Sequence, residues 1–346
     1  MRLIEYDQSR NNNFNLIRFI SASLVLYSHH FILVNTGNNI EPFSNVGMTL
    51  GQIAVDIFFI TSGLLITASY YANTSLLSFV RARILRIYPA LIICVLFCIL
   101  IVGTIYTTLP LSEYFSDPQT FKFLKRNSLL INDITYELPG VFTENHVKNA
   151  INGSLWTLPY EVKMYAILPL ILIFTGFISK KLNITWLVKY LLLVLTVASI
   201  ILNTFNQDNG VIDHFTRLFS LFFTGASVYL WRDKIHLSWK AFFLCFIALV
   251  FAYFSPKHFL LIYSFCLPYI LLVVAYAPSG FIRKFNTFGD YSYGIYIYAF
   301  PVQQSLVAIK PELSNFAIFL LSFVITILLA IMSWHFIERP FLKLKK

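Results

Sequence analysis

Charged residues are scarce in this 346-residue chain, where they account for 12% of the positions, whereas hydrophobic residues account for 58%. An ordinary soluble domain carries about 25% charged residues. With a mean hydropathy of +0.70, the chain has too few polar side chains to cover a water-exposed surface. The composition therefore excludes a soluble globular protein and indicates a protein that lies in the lipid bilayer.

Cysteine is also scarce, and its four residues, Cys94, Cys98, Cys245 and Cys266, all lie in apolar stretches. A structural zinc site needs four cysteine or histidine ligands at short spacings. The residues around Cys94 and Cys98 supply no further ligand. We therefore expect four small core or lipid-facing cysteines and no metal site.

The apolar residues are concentrated in long stretches, each close to the ~20 residues that a helix needs to cross a hydrocarbon core. They lie near 14–35, 50–70, 85–106, 158–178, 184–203, 214–231, 239–254, 258–277, 287–308 and 314–334. The polar N-terminus does not resemble a cleavable signal peptide, so the first stretch is expected to be a retained span. The sequence predicts an all-α polytopic membrane protein, a bundle of about ten transmembrane helices. These would form a single membrane domain over 1–346, with one outer loop at 107–157.

The distribution of lysine and arginine predicts the orientation of these spans. If the N-terminus is inside, sixteen of the 26 cations flank the cytoplasmic ends of the spans and six lie outside. Cytoplasmic loops carry such an excess in membrane proteins. Both termini are therefore predicted to be cytoplasmic. The net charge of +10 reflects this topology, and we expect no nucleic-acid partner.

Ionisable side chains inside predicted spans are functional candidates, because placing them in a membrane is costly. Asp56 and Glu161 are the two carboxylates that the sequence places well inside spans, and Arg18 and His29 share the first span. The rise per residue puts Arg18 and His29 about 16 Å apart on one helix face. The span directions place His29, Asp56 and Glu161 at a similar depth in the outer half.

A histidine beside a carboxylate can remove a proton from a hydroxyl. We therefore predict His29, Asp56 and Glu161 as catalytic residues. The structural alternative is that a buried His–Asp pair ties two helices together and that Glu161 pairs with Lys163.

Arginines open the third predicted span, in the segment VRARILRIYP. Cations at this position follow from the positive-inside rule alone. The functional alternative is a phosphate clamp, because the guanidinium group binds phosphate through paired N–H groups. Arg18, Arg83 and Arg86 are the predicted phosphate-binding residues.

The ninth predicted span, FGDYSYGIYIYAFPVQQS, is unusually polar. Pro301 would free a backbone carbonyl, and the two glutamine side chains need partners. Such a helix belongs inside a bundle or along a cavity, where aromatic and amide groups suit either sugar binding or helix–helix contacts. Trp156, Tyr296, Gln303 and Gln304 are the predicted substrate-binding residues.

Six segments together resemble the acyltransferase-3 superfamily of integral-membrane O-acyltransferases. They are the Arg18–His29 segment, AVDIFFITSGLLIT, VRARILRIYPAL, GSLWTLPYEVKMYAILPL, SYGIYIYAFPVQQ and HFIERPF, and they occur in the family's order along essentially the whole chain. Two departures are Ala82, which interrupts the family's paired arginines, and Ala299, where many relatives have histidine. Some relatives append a soluble hydrolase-like domain, which this chain is expected to lack.

This resemblance implies a bacterial inner-membrane enzyme that moves an acetyl group from cytoplasmic acetyl-CoA to a sugar hydroxyl. The acceptor would be a cell-envelope polysaccharide such as an O-antigen, a capsule or an exopolysaccharide, or its lipid-linked precursor. His29 would match the family's essential histidine and Arg18 its paired arginine. The pantetheine arm of acetyl-CoA would follow a channel inside the bundle, for which Thr61, Ser62, Gly63 and Thr67 are candidates. Close helix packing is the alternative for Gly63.

Three other functions fit the same residues. The chain could transfer a larger acyl group, or it could modify a small secondary metabolite. In a proton-coupled transporter, Asp56, Glu161 and His29 would relay protons. An acyl-transfer assay separates the enzymes from the transporter, because a transporter neither hydrolyses nor transfers acetyl-CoA.

Overall fold

The computed structural model describes residues 2–7, 12–34, 40–73, 75–208, 213–310 and 313–345. Residue 35, the predicted end of the first span, lies outside these ranges, as do Arg10 and Lys346, which contributed to the predicted orientation.

Helices occur at all ten predicted positions. They are α1 (Phe14–Leu33), α2 (Leu50–Ala72), α3 (Leu76–Phe97), α4 (Leu158–Leu182), α5 (Leu187–Asp208), α6 (His214–Leu230), α7 (Trp239–Tyr253), α8 (Pro256–Tyr276), α9 (Ser292–Ile309) and α10 (Asn315–Ser333). In the described ranges, seven helices are long and apolar enough to cross a membrane. Large apolar side chains such as Phe177 (68% exposed) and Phe251 (72% exposed) face outward, as lipid contact requires. The predicted all-α polytopic membrane protein is confirmed.

Two spans are longer than the sequence predicts. Helix α3 begins at Leu76 and continues through a π-helical turn, Cys98–Gly103, to Tyr106. Helix α10 continues through a second π-helical turn, Trp334–Glu338, to Lys343. Glu338 in this extension is 1% exposed, so it is a buried carboxylate within a span, in addition to the predicted Asp56 and Glu161.

The chain divides into two compact units. Unit 1 comprises Met1–Arg18, Pro42–Leu76 and Lys163–Phe288, and it contains α2, most of α4, and α5 to α8. Unit 2 comprises Phe19–Glu41, Leu77–Val162 and Gly289–Lys346, and it contains most of α1, with α3, α9, α10 and the long outer loop.

Unit 1 depends on a close approach of α2 and α6. A Cβ atom at Gly63 would lie 1.8 Å from the Phe222 carbonyl oxygen, and one at Gly225 would lie 2.0 Å from the Ile60 carbonyl oxygen. Small residues at a membrane helix interface allow two backbones to meet in this way. The prediction that Gly63 lines a channel was therefore wrong, because this position is filled by the α6 backbone.

Unit 2 is built on α9. All of its residues from Ser292 to Gln304 are buried, which confirms that this polar span lies inside the protein. Pro301 cannot donate a hydrogen bond to the carbonyl of Ile297. The Asn152 side chain donates to that oxygen at 2.8 Å, and the Cys94 thiol lies 3.2 Å from it. The outer loop is thereby held to α9.

The close approach of α2 and α6 predicts the effect of adding one methyl group. We expect Gly225→Ala to lower the free energy of unfolding by about 1–3 kcal/mol, because the methyl group must displace a backbone. Gly176→Ala on α4 is the matched control, since no described atom lies within 4 Å of its Cβ position. Thermal unfolding of the detergent-purified variants measures both effects. Equal stability of the two variants would contradict the tight α2–α6 contact.

Candidate functional site

His29 lies on α1 in unit 2, beside α9. Its ring meets the Phe300 ring edge to face, with centroids 5.1 Å apart. The Nδ1 atom of His29 is buried and has no hydrogen-bond partner among the described residues. One ring nitrogen is therefore not used by the surrounding protein, and it can serve as a hydrogen-bond or proton acceptor for a ligand.

The end of the outer loop packs on the same stretch of α9. A Cβ atom at Gly153 would lie 2.5 Å from the Phe300 ring, so only glycine allows the loop to come this close. The Thr157 hydroxyl is 2.5 Å from the Tyr296 hydroxyl. Trp156 meets the Tyr160 ring at 6.0 Å. The Phe300 ring is thus shared by His29 and by the loop that carries the predicted substrate-binding residue Trp156.

The two glutamines of α9 have different environments. The Gln304 amide donates to the carbonyls of Val147 and Ala150, both at 2.8 Å, and its oxygen accepts from Asn145 at 2.8 Å. Gln304 therefore fixes the outer loop. The Gln303 amide donates to the Leu26 carbonyl at 3.0 Å. Its buried Oε1 atom has no partner in the described part of the chain, so it can accept a hydrogen bond from a ligand.

Glu161 lies in the first turn of α4, within unit 2. It is near enough to Tyr293 and Tyr296 of α9 for its charge to act on both phenol groups. Unit 2 therefore contains six predicted site residues on or around α9: His29, Trp156, Glu161, Tyr296, Gln303 and Gln304.

Asp56 lies in unit 1, where both of its carboxylate oxygens are occupied. Arg217 of α6 donates to one oxygen at 2.5 Å, and Tyr263 of α8 donates to the other at 2.9 Å. Arg217 also donates to the Gln52 carbonyl at 3.1 Å. Asp56 is 1% exposed, so this is a buried ion pair that connects three helices. The orientation of His29 by Asp56 stays a prediction.

Sequence reasoning missed Arg217 and Tyr263, although a signal was present. Arg217 lies at the start of α6 and Tyr263 lies two turns into α8, so the predicted topology places both at the depth of Asp56. A buried carboxylate requires a partner. A search at equal depth for a cation would have found Arg217.

The arginines of α3 lie in unit 2 beside two carboxylates. Arg86 pairs with Asp290 at 2.5 Å and with Glu338 at 3.5 Å. The guanidinium group of Arg86 is therefore already partly engaged by carboxylates of the protein. Arg83 lies 5.7 Å from the Phe79 ring centroid. Arg18, the third predicted phosphate-binding residue, lies in unit 1 with its guanidinium 5.8 Å from the Phe58 ring centroid.

Lys345 adds a third cation to the cluster of Arg83 and Arg86. Burial, together with the charges of Arg83 and Arg86, lowers the pKa of Lys345 to about 8. Cations that repel one another in this way are stabilised by an anion, so the cluster can bind a phosphate group.

Two comparisons with known proteins agree on one type of activity. A family model described as an acyltransferase domain matches residues 11–335. The chain is 30% identical to the O-acetyl transferase of Shigella phage Sf6, over 96% of each chain. It is 26% identical to nodulation protein 10 of Rhizobium leguminosarum bv. viciae, over 99% of this chain and 96% of the relative. No solved structure matches the chain.

The ion pair in unit 1 predicts a stability effect of Asp56. Asp56→Asn leaves the Arg217 charge buried without its counter-charge, and we expect the free energy of unfolding to fall by about 3–5 kcal/mol. The double variant Asp56→Leu/Arg217→Met removes both charges and should recover most of this loss. Thermal unfolding of the purified variants measures both effects. A fully stable Asp56→Asn protein that has lost its activity would argue against a structural role and for a catalytic one.

Proposed function

The chain belongs to the acyltransferase-3 family of membrane acyltransferases, and we propose that it transfers an acetyl group from acetyl-CoA to a sugar hydroxyl. The acceptor is a cell-envelope polysaccharide or its lipid-linked precursor. The observation that carries this proposal is the similarity to the phage O-acetyl transferase, which extends over 96% of both chains. The family model spans residues 11–335, so the membrane helices themselves are the acyltransferase. Family membership favours the enzyme over the proton-coupled transporter.

His29 acts as the general base in this proposal. The acceptor hydroxyl gives its proton to His29 while its oxygen attacks the carbonyl carbon of the thioester. The C–S bond then breaks and the CoA thiolate leaves. A base must have a nitrogen that the protein does not already occupy, and the Nδ1 atoms of both His29 and His30 lack a partner among the described residues. The match of His29 to the family's essential histidine selects it over His30.

Glu161 is the carboxylate that we propose to support His29, because it lies in the same unit. The Asp56 oxygens are already engaged by Arg217 and Tyr263. Trp156 and Tyr296 supply the aromatic and hydroxyl surface for the sugar, with Gln303 as an acceptor of a sugar hydroxyl.

The donor phosphates bind at the cytoplasmic arginines in this proposal. Arg83 and Lys345 supply positive charges for the phosphates, and Arg86 contributes a guanidinium group that Asp290 and Glu338 already hold in place. Arg18 is a further donor in unit 1. The protein lies in the bacterial inner membrane with both termini in the cytoplasm, as the positive-inside distribution supports.

The role of His29 predicts a loss of transfer without a loss of folding. We expect His29→Ala to reduce acetyl transfer to a polysaccharide acceptor by about 10²–10⁴-fold, the usual contribution of a general base. Transfer is followed with radiolabelled acetyl-CoA in membranes, and thermal unfolding reports on the fold. His30→Ala is the control, since His30 lies next to Phe319 and is expected to retain transfer. A His29→Ala protein with near wild-type transfer would disprove the assignment.

The pKa of Lys345 predicts how donor affinity depends on pH. Lys345 is charged below a pH of about 8 and neutral above it, so the KM for acetyl-CoA should rise as the pH increases through 8. The loss of one charged hydrogen bond should raise KM about tenfold. In Lys345→Met, KM should be high and should show no step near this pH. Lys343→Met is the matched control on an exposed neighbour. If the KM for acetyl-CoA showed the same pH step in Lys345→Met and Lys343→Met, Lys345 would not belong to the donor site.

A further inference from the structure

A cavity of about 390 Å³ in unit 1 has no part in the proposed transfer reaction. Its lining includes Ile4, Tyr71, Thr185, Lys189, Arg232 and Asp233. Apart from Ile4, these residues lie at or next to the end of α2, the start of α5 and the end of α6, all of which the predicted topology places at the cytoplasmic face. The N-terminal segment closes one side, since the Ile4 amide donates to the Arg232 carbonyl at 3.1 Å.

The charged groups of the cavity suit an anion. Lys189 and Arg232 contribute two positive charges, and Asp233 contributes one negative charge. Lys189 donates to Asp233 at 3.2 Å, with the two side chains 40% and 38% exposed. Burial tends to raise the pKa of Asp233, but the hydrogen bond and charge of Lys189 lower it below its usual value. An exposed pair of this kind is worth little, so an incoming phosphate can exchange with Asp233.

Arg232 is already held in position. Its Nη1 atom donates to the Tyr229 carbonyl at 2.8 Å, and its guanidinium carbon lies 3.9 Å from the Tyr229 ring centroid. A cation fixed by the protein loses little conformational freedom when it binds an anion.

The aromatic residues around the cavity place it at the level of the lipid headgroups. Trp186 packs on Tyr190 at 5.5 Å, and Tyr190 packs on Trp231 at 5.1 Å. Trp186 is 57% and Tyr190 48% exposed. Tryptophan and tyrosine concentrate at this depth, where their rings meet both lipid and water.

An exposed apolar surface continues from the cavity toward the membrane interior. Leu193 lies one turn beyond Lys189 on the same face of α5, and Val194 lies one turn beyond Tyr190. They are 37% and 61% exposed, respectively. An acyl chain can follow this surface while its headgroup contacts Lys189, which a water-soluble phosphate ester cannot do.

We propose that the cavity lined by Lys189 and Arg232 is a binding site for the phosphate headgroup of an anionic phospholipid of the cytoplasmic leaflet. Basic pockets between transmembrane helices bind anionic headgroups through their cations. The phosphate contacts Lys189 and Arg232, Tyr71 and Thr185 supply hydroxyl groups, and the acyl chains lie along α5.

The experiment uses the full chain in nanodiscs of phosphatidylcholine with and without phosphatidylglycerol. The protein is then released from the nanodiscs, and native mass spectrometry counts the lipid molecules that it retains. We expect one phosphatidylglycerol to be retained per chain and to raise the Tm, because a ligand of the folded state stabilises it. Lys189→Gln should lose this lipid and the Tm increase. Lys180→Gln/Lys181→Gln is the matched control on exposed cytoplasmic cations and should keep both.

Two further measurements complete the test: a variant that is expected to bind the lipid more tightly, and a competition between the lipid and coenzyme A. Asp233→Asn removes the competing carboxylate and should retain phosphatidylglycerol more tightly than the wild type, whatever the stability of Lys189→Gln. Equal retention of phosphatidylcholine, or retention unchanged in both Lys189→Gln and Asp233→Asn, would overturn the proposal. Displacement of the lipid by coenzyme A, with a raised KM for acetyl-CoA in Lys189→Gln, would overturn it in favour of a nucleotide site.

Discussion

An unpaired backbone carbonyl finds no water inside a bilayer, so it must accept a hydrogen bond from another part of the protein. In unit 2, the outer loop supplies such hydrogen bonds to the helices. Pro301 leaves the Ile297 carbonyl without its helical donor, and Asn152 supplies one from the loop. The π-helical turn of α3 similarly presents the Ile99 carbonyl to the Tyr114 hydroxyl at 2.9 Å. Irregularities in the helices therefore fix the loop, and the fixed loop brings Gly153 against the Phe300 ring beside His29.

Because a bilayer also offers no water to a buried charge, buried charged side chains form pairs in each of the two units, and each pair has a structural role. Asp56 and Arg217 neutralise each other inside unit 1, and Arg86 is neutralised by Asp290 and Glu338 inside unit 2. Such pairs rarely add net stability, but each member becomes costly when its partner is removed. The loss of activity after mutation of a paired residue therefore says little about catalysis unless stability is measured as well.

The fold was largely predictable from the sequence, because apolar runs of helical length have few alternatives in a membrane. The burial of α9 was predictable for the same reason, since its polar groups could not face lipid. The extension of α10 was not, because the buried carboxylate of Glu338 pairs with Arg86, which is far away in the chain. For the same reason, the partner of Gly63 on α6 could not be predicted, whereas the depth of Arg217 did indicate it as the partner of Asp56. Hydropathy describes each span alone, whereas these contacts depend on which spans are neighbours.

Two of the buried atoms that stay unmatched belong to residues of the proposed site. His29 Nδ1 and Gln303 Oε1 are both buried and lack partners among the described residues. Gln303 donates to the Leu26 carbonyl, which lies one turn before His29 on α1. Both atoms can accept a hydrogen bond, so together they suit a ligand that presents hydroxyl groups. A sugar has several hydroxyl groups on one ring: one can be held by Gln303 while a neighbour gives its proton to His29. The position of His29 on α1 relative to Gln303 on α9 would then determine which hydroxyl group of the sugar reacts.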